Sequence, residues 1–229
     1  MNETEINKLQ EKLNYSFANQ ALLMEALRHS SYANENKING AISNERLEFL
    51  GDSVLGMTVA NLIYNCYPDM PEGRMTRLRA ELVCEKSLAS LADKLGLGTY
   101  LQLGRGEEKS GGRVRPSILA DALEAVLAAM YLDGGFEPVA WLVSQYLEPK
   151  ETLRDIQNTD FKTALQEIVQ EKAGQTLSYH ITDECGPDHM KLFTVEVRLN
   201  GRYLGSGIGK SKKEAEQIAA KEALEELSK

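Results

Sequence analysis

Cysteine is scarce and poorly placed for cross-linking. The 229 residues hold three, Cys66, Cys84 and Cys185, an odd number at wide spacings. That argues against a disulfide framework and a CxxC metal site, and makes a reducing cytoplasm the expected compartment. Long hydrophobic runs are missing as well. No stretch approaches the ~18 apolar residues of a membrane span, and residues 1–14 have neither a basic n-region nor an apolar h-region, so no secretory leader and no membrane partner are expected. No Ser-His-Asp or Cys-His arrangement suggests itself, and no Gly-x4-Gly-Lys-Ser/Thr phosphate loop is present. Positive charge is also short: 26 Lys+Arg stand against 34 Asp+Glu, net −8. The deficit is spread along the chain, with 10 against 12 in residues 157–229 and 16 against 22 before them. A nucleic-acid partner normally meets a basic surface, so any such binding must come from local clusters. Internal repeats and low-complexity tracts are absent.

What is present is an ordinary mixture, 42% hydrophobic and 26% charged, in a chain long enough for one large domain or two modest ones. From Thr4 to about Asp155 the periodicity is helical. Leu9 and Leu13 mark a first helix. Asn19 caps a second that runs to Leu27, and His29 to Tyr32 ends it before a polar loop, Ala33 to Ser43. A long helix follows from about Asn44 to Tyr64, then one carrying Arg74, Arg77 and Arg79, then Ser87 to Leu95, stopped by Gly96. Gly104 to Arg115 reads as a Gly-rich, mostly basic loop, whose Arg105, Lys109, Arg113 and Arg115 are candidates for phosphate contact or simply for flexibility. Ser117 to Leu132 is the most apolar helix, and Pro138 opens a last one with Trp141. Met24, Met57 and Met130 read as core filling. Residues 151–159 turn polar and read as a linker. Beyond them the order is α-β-β-β-α: Leu177 to Ile181 and Phe193 to Leu199 alternate as strands, Asn200-Gly201 is a hairpin turn, and Ser211 caps a closing helix. The expected architecture is an all-α domain over 1–150, the linker, and a small α+β domain over 160–229.

The helix from Asn44 carries the sharpest chemical signal. At about 100° per residue, Glu45, Glu48 and Asp52 fall within an arc of about 60°, opposite Leu47, Leu50 and Val54. Like charges so spaced weaken a helix by a few tenths of a kcal/mol per pair, and a divalent cation held by carboxylate oxygens would offset that cost. Phe49 breaks the pattern, lying beside the acids and off the apolar stripe. A second pair, Asp121 and Glu124, sits within the most apolar helix. These two acids either face solvent on a narrow stripe, pair with arginines such as Arg77 and Arg79, or converge with the row Glu45, Glu48 and Asp52 on one hard cation.

Asn44-Glu-Arg-Leu-Glu-Phe-Leu-Gly-Asp-Ser-Val-Leu55 resembles the signature of ribonuclease III, the Mg²⁺-dependent endonuclease of double-stranded RNA. Pro71-Glu-Gly73, Met75-Thr-Arg-Leu-Arg-Ala80, Lys109-Ser-Gly-Gly112 and Ser117-Ile-Leu-Ala-Asp-Ala-Leu-Glu-Ala125 follow in that family's order, and the α-β-β-β-α tail resembles its double-stranded RNA-binding domain. The resemblance implies a metal site of Glu48, Asp52, Asp121 and Glu124 for Mg²⁺, with Mn²⁺ as a substitute. Asp52 and Glu124 match the residues assigned to catalysis, and Glu45 and Glu72 match acids at the edge of the cleft. It further implies a homodimer in which Phe49 enters a socket on the partner. The implied reaction is hydrolysis by in-line attack of a metal-activated water, leaving 5′-phosphate and 3′-hydroxyl ends on ribosomal and other structured precursor RNA. His29 falls in a stretch shared with the family and reads as structural.

In the tail, Phe161, Leu165, Ile168 and Val169 are read as facing inward. The resemblance puts minor-groove contacts at Thr163, Gln166 and Glu167, a second contact loop at Gly186-Pro187-Asp188-His189, and phosphate contacts at Lys210, Lys212 and Lys213, where the helix N-terminus already favours anions. The family usually has a basic residue near Glu216; here it is acidic, which predicts modest phosphate affinity. Two rival readings are a catalytically dead RNA-binding relative, disfavoured by the complete set of acids, and an unrelated helical metal hydrolase, disfavoured by the tail.

Overall fold

The most apolar stretch of the sequence becomes the axis of the first of two units. The structure, a computed structural model, describes residues 3–36, 40–147, 149–150, 152–153, 160–170, 174–187 and 191–227, and divides into Met1–Thr152 and Leu153–Lys229. Most of the expected linker therefore lies outside the described residues.

The first unit contains α1 (Glu3–Leu13), α2 (Gln20–Ala26), α3 (Ser30–Glu35), α4 (Glu45–Cys66), α5 (Glu72–Leu82), α6 (Glu85–Leu95), α7 (Arg105–Lys109), α8 (Pro116–Gly134) and α9 (Phe136–Tyr146). Pro116 opens α8, where its missing N–H costs nothing, and eleven of the helix's residues are buried. A helix apolar nearly all round must be enclosed, and α2, α4, α6 and α9 pack against this one. Its alanines let α4 approach closely. At Gly51 of α4 a Cβ would lie 2.0 Å from the backbone oxygen of Glu124, so the two helices meet there backbone to backbone.

Local details follow the sequence in some places and depart from it in others. Asn19 caps α2 by accepting the Ala21 N–H, as its side chain predicts. His29 does not merely end that helix. Its Nδ1 accepts the Ser31 N–H and caps α3, so the expected polar loop begins later. The Gly-rich stretch is also folded, into α7 and a 3-10 turn at Gly112–Val114. Arg113 locks it, donating to the Gly98 and Leu101 carbonyls at 2.9 Å and pairing with Glu108, while Arg115 pairs with Glu107. Two of the four cations offered for phosphate are thus engaged within the protein. Met130 is fully buried, but Met57 is 52% exposed and fills no core of its own chain.

The second unit contains α10 (Phe161–Gln170), β1 (Leu177–Cys185), β2 (Leu192–Leu199), β3 (Arg202–Gly209) and α11 (Lys212–Leu227). The sheet is antiparallel in the order β1-β2-β3, and both helices pack with it around Leu165, Val169, Val197, Ala219, Ala220 and Ala223. Asn200 and Gly201 both have positive φ, as a tight hairpin between right-twisting strands requires. Gly207 faces α11, where a Cβ would meet Ala215 and Ala219 backbone atoms at 2.4 Å. Ser211 caps α11 by accepting the Glu214 N–H, and Glu214 in turn accepts the Lys210 N–H. Ile168 was expected inward and is 47% exposed. It lies about 100° around the helix from Val169, at the edge of a stripe that Leu165 and Val169 already fill. No helix among the described residues is long and apolar enough to cross a membrane.

Candidate metal centre and RNA-binding face

The start of α4 is anchored before its acids are reached. Asn44 is buried; its N–H donates to the Arg28 carbonyl and its side-chain amide to the Ala26 carbonyl, tying the helix to the end of α2. Glu48 then lies one turn into α4, facing α8 where Gly51 brings the two backbones together. Glu48, Asp121 and Glu124 are half-buried and each offers a carboxylate oxygen within 4.8 Å of the others. Two helices carrying acids at i, i+3 or i+7 therefore do converge, and the alternative of a solvent-facing stripe does not describe Asp121 and Glu124.

The electrostatics of this group are unfavourable without a cation. Burial, and then the charges of Asp52, Asp121 and Glu48, push the Glu124 carboxyl up to about 7. Glu48 is raised by burial and by Asp121 and Glu45. Asp121 is raised by burial, with the His29 ring opposing and Glu85 adding to the rise. All the donors are carboxylate oxygens, hard ligands half-withdrawn from water, and this set fits a hard divalent cation that keeps part of its water shell. Burying like charges together costs free energy that such a cation offsets.

The remaining sequence candidates are distributed unevenly. Asp52 is exposed and stands outside the group of three, though its charge reaches Glu124. Glu45 is exposed, accepts the Ser43 hydroxyl at 2.8 Å and acts on Glu48 through its charge. Glu72 opens α5, accepts the Thr76 hydroxyl within that helix, and borders an apolar groove with Ala60, Ile63, Tyr64, Met75 and Arg79. Phe49 is 80% exposed. Two contributors, Gly51 and Glu85, carry little signal in the sequence: Gly51 only that of a glycine inside a helix, Glu85 none, since the fold alone brings it to Asp121. His29, which reads as structural from the sequence, also acts on Asp121 through its charge.

On the second unit, Thr163 and Gln166 are exposed on α10, Pro187 is exposed after β1, and Lys210, Lys212 and Lys213 are exposed at the start of α11. The side chain of Glu167, as well as His189, lies outside the described residues. Glu216 is half-buried and pairs with Lys162 of α10, whose ammonium lies 4.6 Å from the centre of the Tyr179 ring. The acid that departs from the family pattern thus has a lysine of its own to neutralise.

Residues 19–150 match the family model for Ribonuclease-III-like domains, and residues 161–227 match the double-stranded RNA binding motif. The chain is 51% identical over 221 residues to Ribonuclease 3 of Caldanaerobacter subterraneus subsp. tengcongensis, covering 96% of both. It is 50% identical over 224 residues to Ribonuclease 3 of Pelotomaculum thermopropionicum, covering 97% of this chain and 93% of that one. A solved nuclease domain of ribonuclease III from Campylobacter jejuni, described for structural flexibility in a region involved in dimer formation, is 40% identical with a TM-score of 0.57, over 62% of this chain and 94% of that one. With an acidic group between two packed helices and an α-β-β-β-α unit after it, the chain belongs to the ribonuclease III family of endoribonucleases and carries that family's double-stranded RNA-binding motif.

Proposed function

We propose that the protein is a Mg²⁺-dependent endonuclease that hydrolyses double-stranded RNA to 5′-phosphate and 3′-hydroxyl ends, with Mn²⁺ able to substitute. The observation that carries this reading is the convergence of Glu48, Asp121 and Glu124 within 4.8 Å. Glu48, Asp121 and Glu124 hold the cation, and Asp52, exposed to solvent beside Glu124, faces the scissile phosphodiester and helps orient the attacking water. The cation, when bound, neutralises developing charge on the phosphate and makes water a better nucleophile. Glu124, its carboxyl raised to about 7 without a cation, would hold one as the carboxylate, so that binding would be coupled to loss of its remaining proton. Glu45 and Glu72 are outer acids of the cleft. Residues 1–150 are the nuclease domain and 160–229 the RNA-binding domain, joined by 151–159. In the latter, Thr163, Gln166, Glu167, Pro187 and His189 meet minor grooves, and Lys210, Lys212 and Lys213 meet the phosphates between them.

The working unit is a homodimer. Phe49, Met57 and Tyr64 leave an exposed apolar stripe along α4, 52% to 80% accessible, and the related Campylobacter domain has a region involved in dimer formation. Three free cysteines suit a cytoplasmic protein, and structured ribosomal and other precursor transcripts are its substrates. The test is incubation with long duplex RNA, single-stranded RNA and duplex DNA, in Mg²⁺ and in EDTA. Cleavage of duplex RNA alone, abolished by chelation, is the expected result. Tight duplex binding with no cleavage in Mg²⁺ or Mn²⁺ would establish a binding module instead.

A further inference from the structure

Lys212 is the best placed of the three lysines for a phosphate, since it is the first residue of α11 and 57% of its side chain is accessible. It is not free of partners. Glu184, near the end of β1, has its two carboxylate oxygens 3.5 Å from the Lys212 ammonium and 3.2 Å from that of Lys191. Both ammonium groups also lie against the Phe193 ring, 5.6 and 5.9 Å from its centre. The Glu184 carboxyl is held below its usual range, chiefly by its bond from Lys191. One acid thus sits between two lysines at the edge from which the β1–β2 connection departs.

We propose that Glu184 is an affinity-setting residue for duplex RNA: it holds Lys212 and Lys191 in intramolecular pairs and so weakens their attraction for phosphate. This rests on the reading that Lys212 faces the RNA backbone. Two effects compete. The pair could help by pre-positioning Lys212, or hinder by setting a negative charge beside an arriving phosphate. Pre-positioning is the smaller effect, because the Lys212 contact is long and exposed, and such pairs contribute little. Repulsion is not avoided in the same way, since any phosphate within reach of Lys212 must also approach Glu184. A further consequence is a shallower salt dependence. An ammonium already facing a carboxylate neutralises less of a phosphate's charge, so fewer of the cations condensed on the RNA are released on binding.

The experiment uses the full chain and a labelled blunt duplex of about 20 base pairs, enough for one such domain, in EDTA so that binding is read without cleavage. Anisotropy titrations over a range of salt compare wild type, Glu184→Gln, Lys212→Gln, the double variant, and Glu225→Gln, an exposed acid of α11 that makes the same change in net charge. Glu184→Gln is expected to bind about twofold to fivefold more tightly, with a steeper salt slope, and to exceed Glu225→Gln. In the Lys212→Gln background most of that gain should vanish. Equal effects of Glu184→Gln and Glu225→Gln, or weaker binding by Glu184→Gln, would overturn the proposal. If Lys212→Gln changes neither affinity nor slope, the assignment of Lys212 to the RNA face fails instead.

Discussion

Gly51 presses against the backbone of Glu124 so closely that a methyl group at Gly51 would lie 2.0 Å from the Glu124 carbonyl oxygen. The contact sets the separation of α4 and α8, and with it the distance between Glu48 and the two acids on the other helix. The obstruction is backbone, so no side-chain rotation relieves it. Gly51→Ala gains about 1 kcal/mol of helix propensity but must push the helices apart, a strain of about 1–3 kcal/mol or more. The expected outcome is a lower Tm together with cleavage reduced beyond what the unfolded fraction explains. Full activity and an unchanged Tm would mean that the helices separate at no cost to the site.

Glu124 should be indispensable for cleavage and dispensable for binding. Glu124→Gln is expected to lower cleavage of duplex RNA by more than about 100-fold, exceeding the cost of losing a group that only supports a ligand. Its affinity for the same duplex in EDTA should stay within a factor of about two of wild type, because the double-stranded RNA-binding motif lies on the other unit. Unchanged cleavage would remove Glu124 from the site.

The raised carboxyls make metal-free stability depend on pH in a defined direction. Glu124 titrates near 7 in the folded protein and near 4.5 in the unfolded chain, so between those values the folded state binds more protons. Stability of the metal-free protein therefore falls as pH rises from about 4.5 to 7, and the penalty is fully present above that window. Glu48 and Asp121 shift the same way. Thermal melts in EDTA should show this decline, and Glu124→Gln should flatten it. Mg²⁺ should raise Tm more at pH 8 than at pH 5, since protons and cation compete for the same oxygens. A Mg²⁺ effect independent of pH would count against carboxylate ligation.

Phe49→Asp tests the dimer. An exposed aromatic that anchors in a partner's pocket contributes about 2 kcal/mol or more, so the charged variant should dissociate at concentrations where the wild type is dimeric in sedimentation. Retention of the dimer would leave the exposure of Phe49 without an account.

Replacing Lys212 and Lys213 with Ala should weaken binding to any duplex sequence alike and reduce the salt slope by about 0.9 for each lost phosphate contact. Salt titrations of the full chain in EDTA measure both. A slope equal to wild type would exclude them from phosphate contact.

Much of the fold was legible because the signals are local. The Asn19 cap, the Asn200-Gly201 hairpin, the Ser211 cap and the switch from a helical to an alternating period each depend on residues a few positions apart. The acids of α4 were legible for the same reason, and so was the oddity of Phe49, which needs only the helical period. Local signals fail where long-range contacts decide. Ile168 fits the period and is nevertheless exposed, because Leu165 and Val169 already supply the helix's contribution to the core beside Val197, Ala219 and Ala223. Met57 has the chemistry of a core residue and faces outward. The glycines of Gly104 to Arg115 predict a loop, whereas Arg113 and Arg115 fold it through partners that a periodicity cannot register.

The sequence alone carries the inventory of the longer elements: the long helices of the first unit, the acids that two of them bear at helical spacing, and the α-β-β-β-α unit that follows; the short α3 and α7 are not among them. Those properties reside in short-range steric preference and in the spacing of apolar side chains. Only the tertiary structure decided that Glu48, Asp121 and Glu124 share one half-buried space while Asp52 stands outside it, and that Glu72 turns to its own helix. It also decided that Glu184 and Glu216 are each paired with lysines of the RNA-binding unit. Distances between residues seventy positions apart depend on how closely two helices can pack, and here that closeness comes from a glycine whose only signal in the sequence was the absence of a side chain.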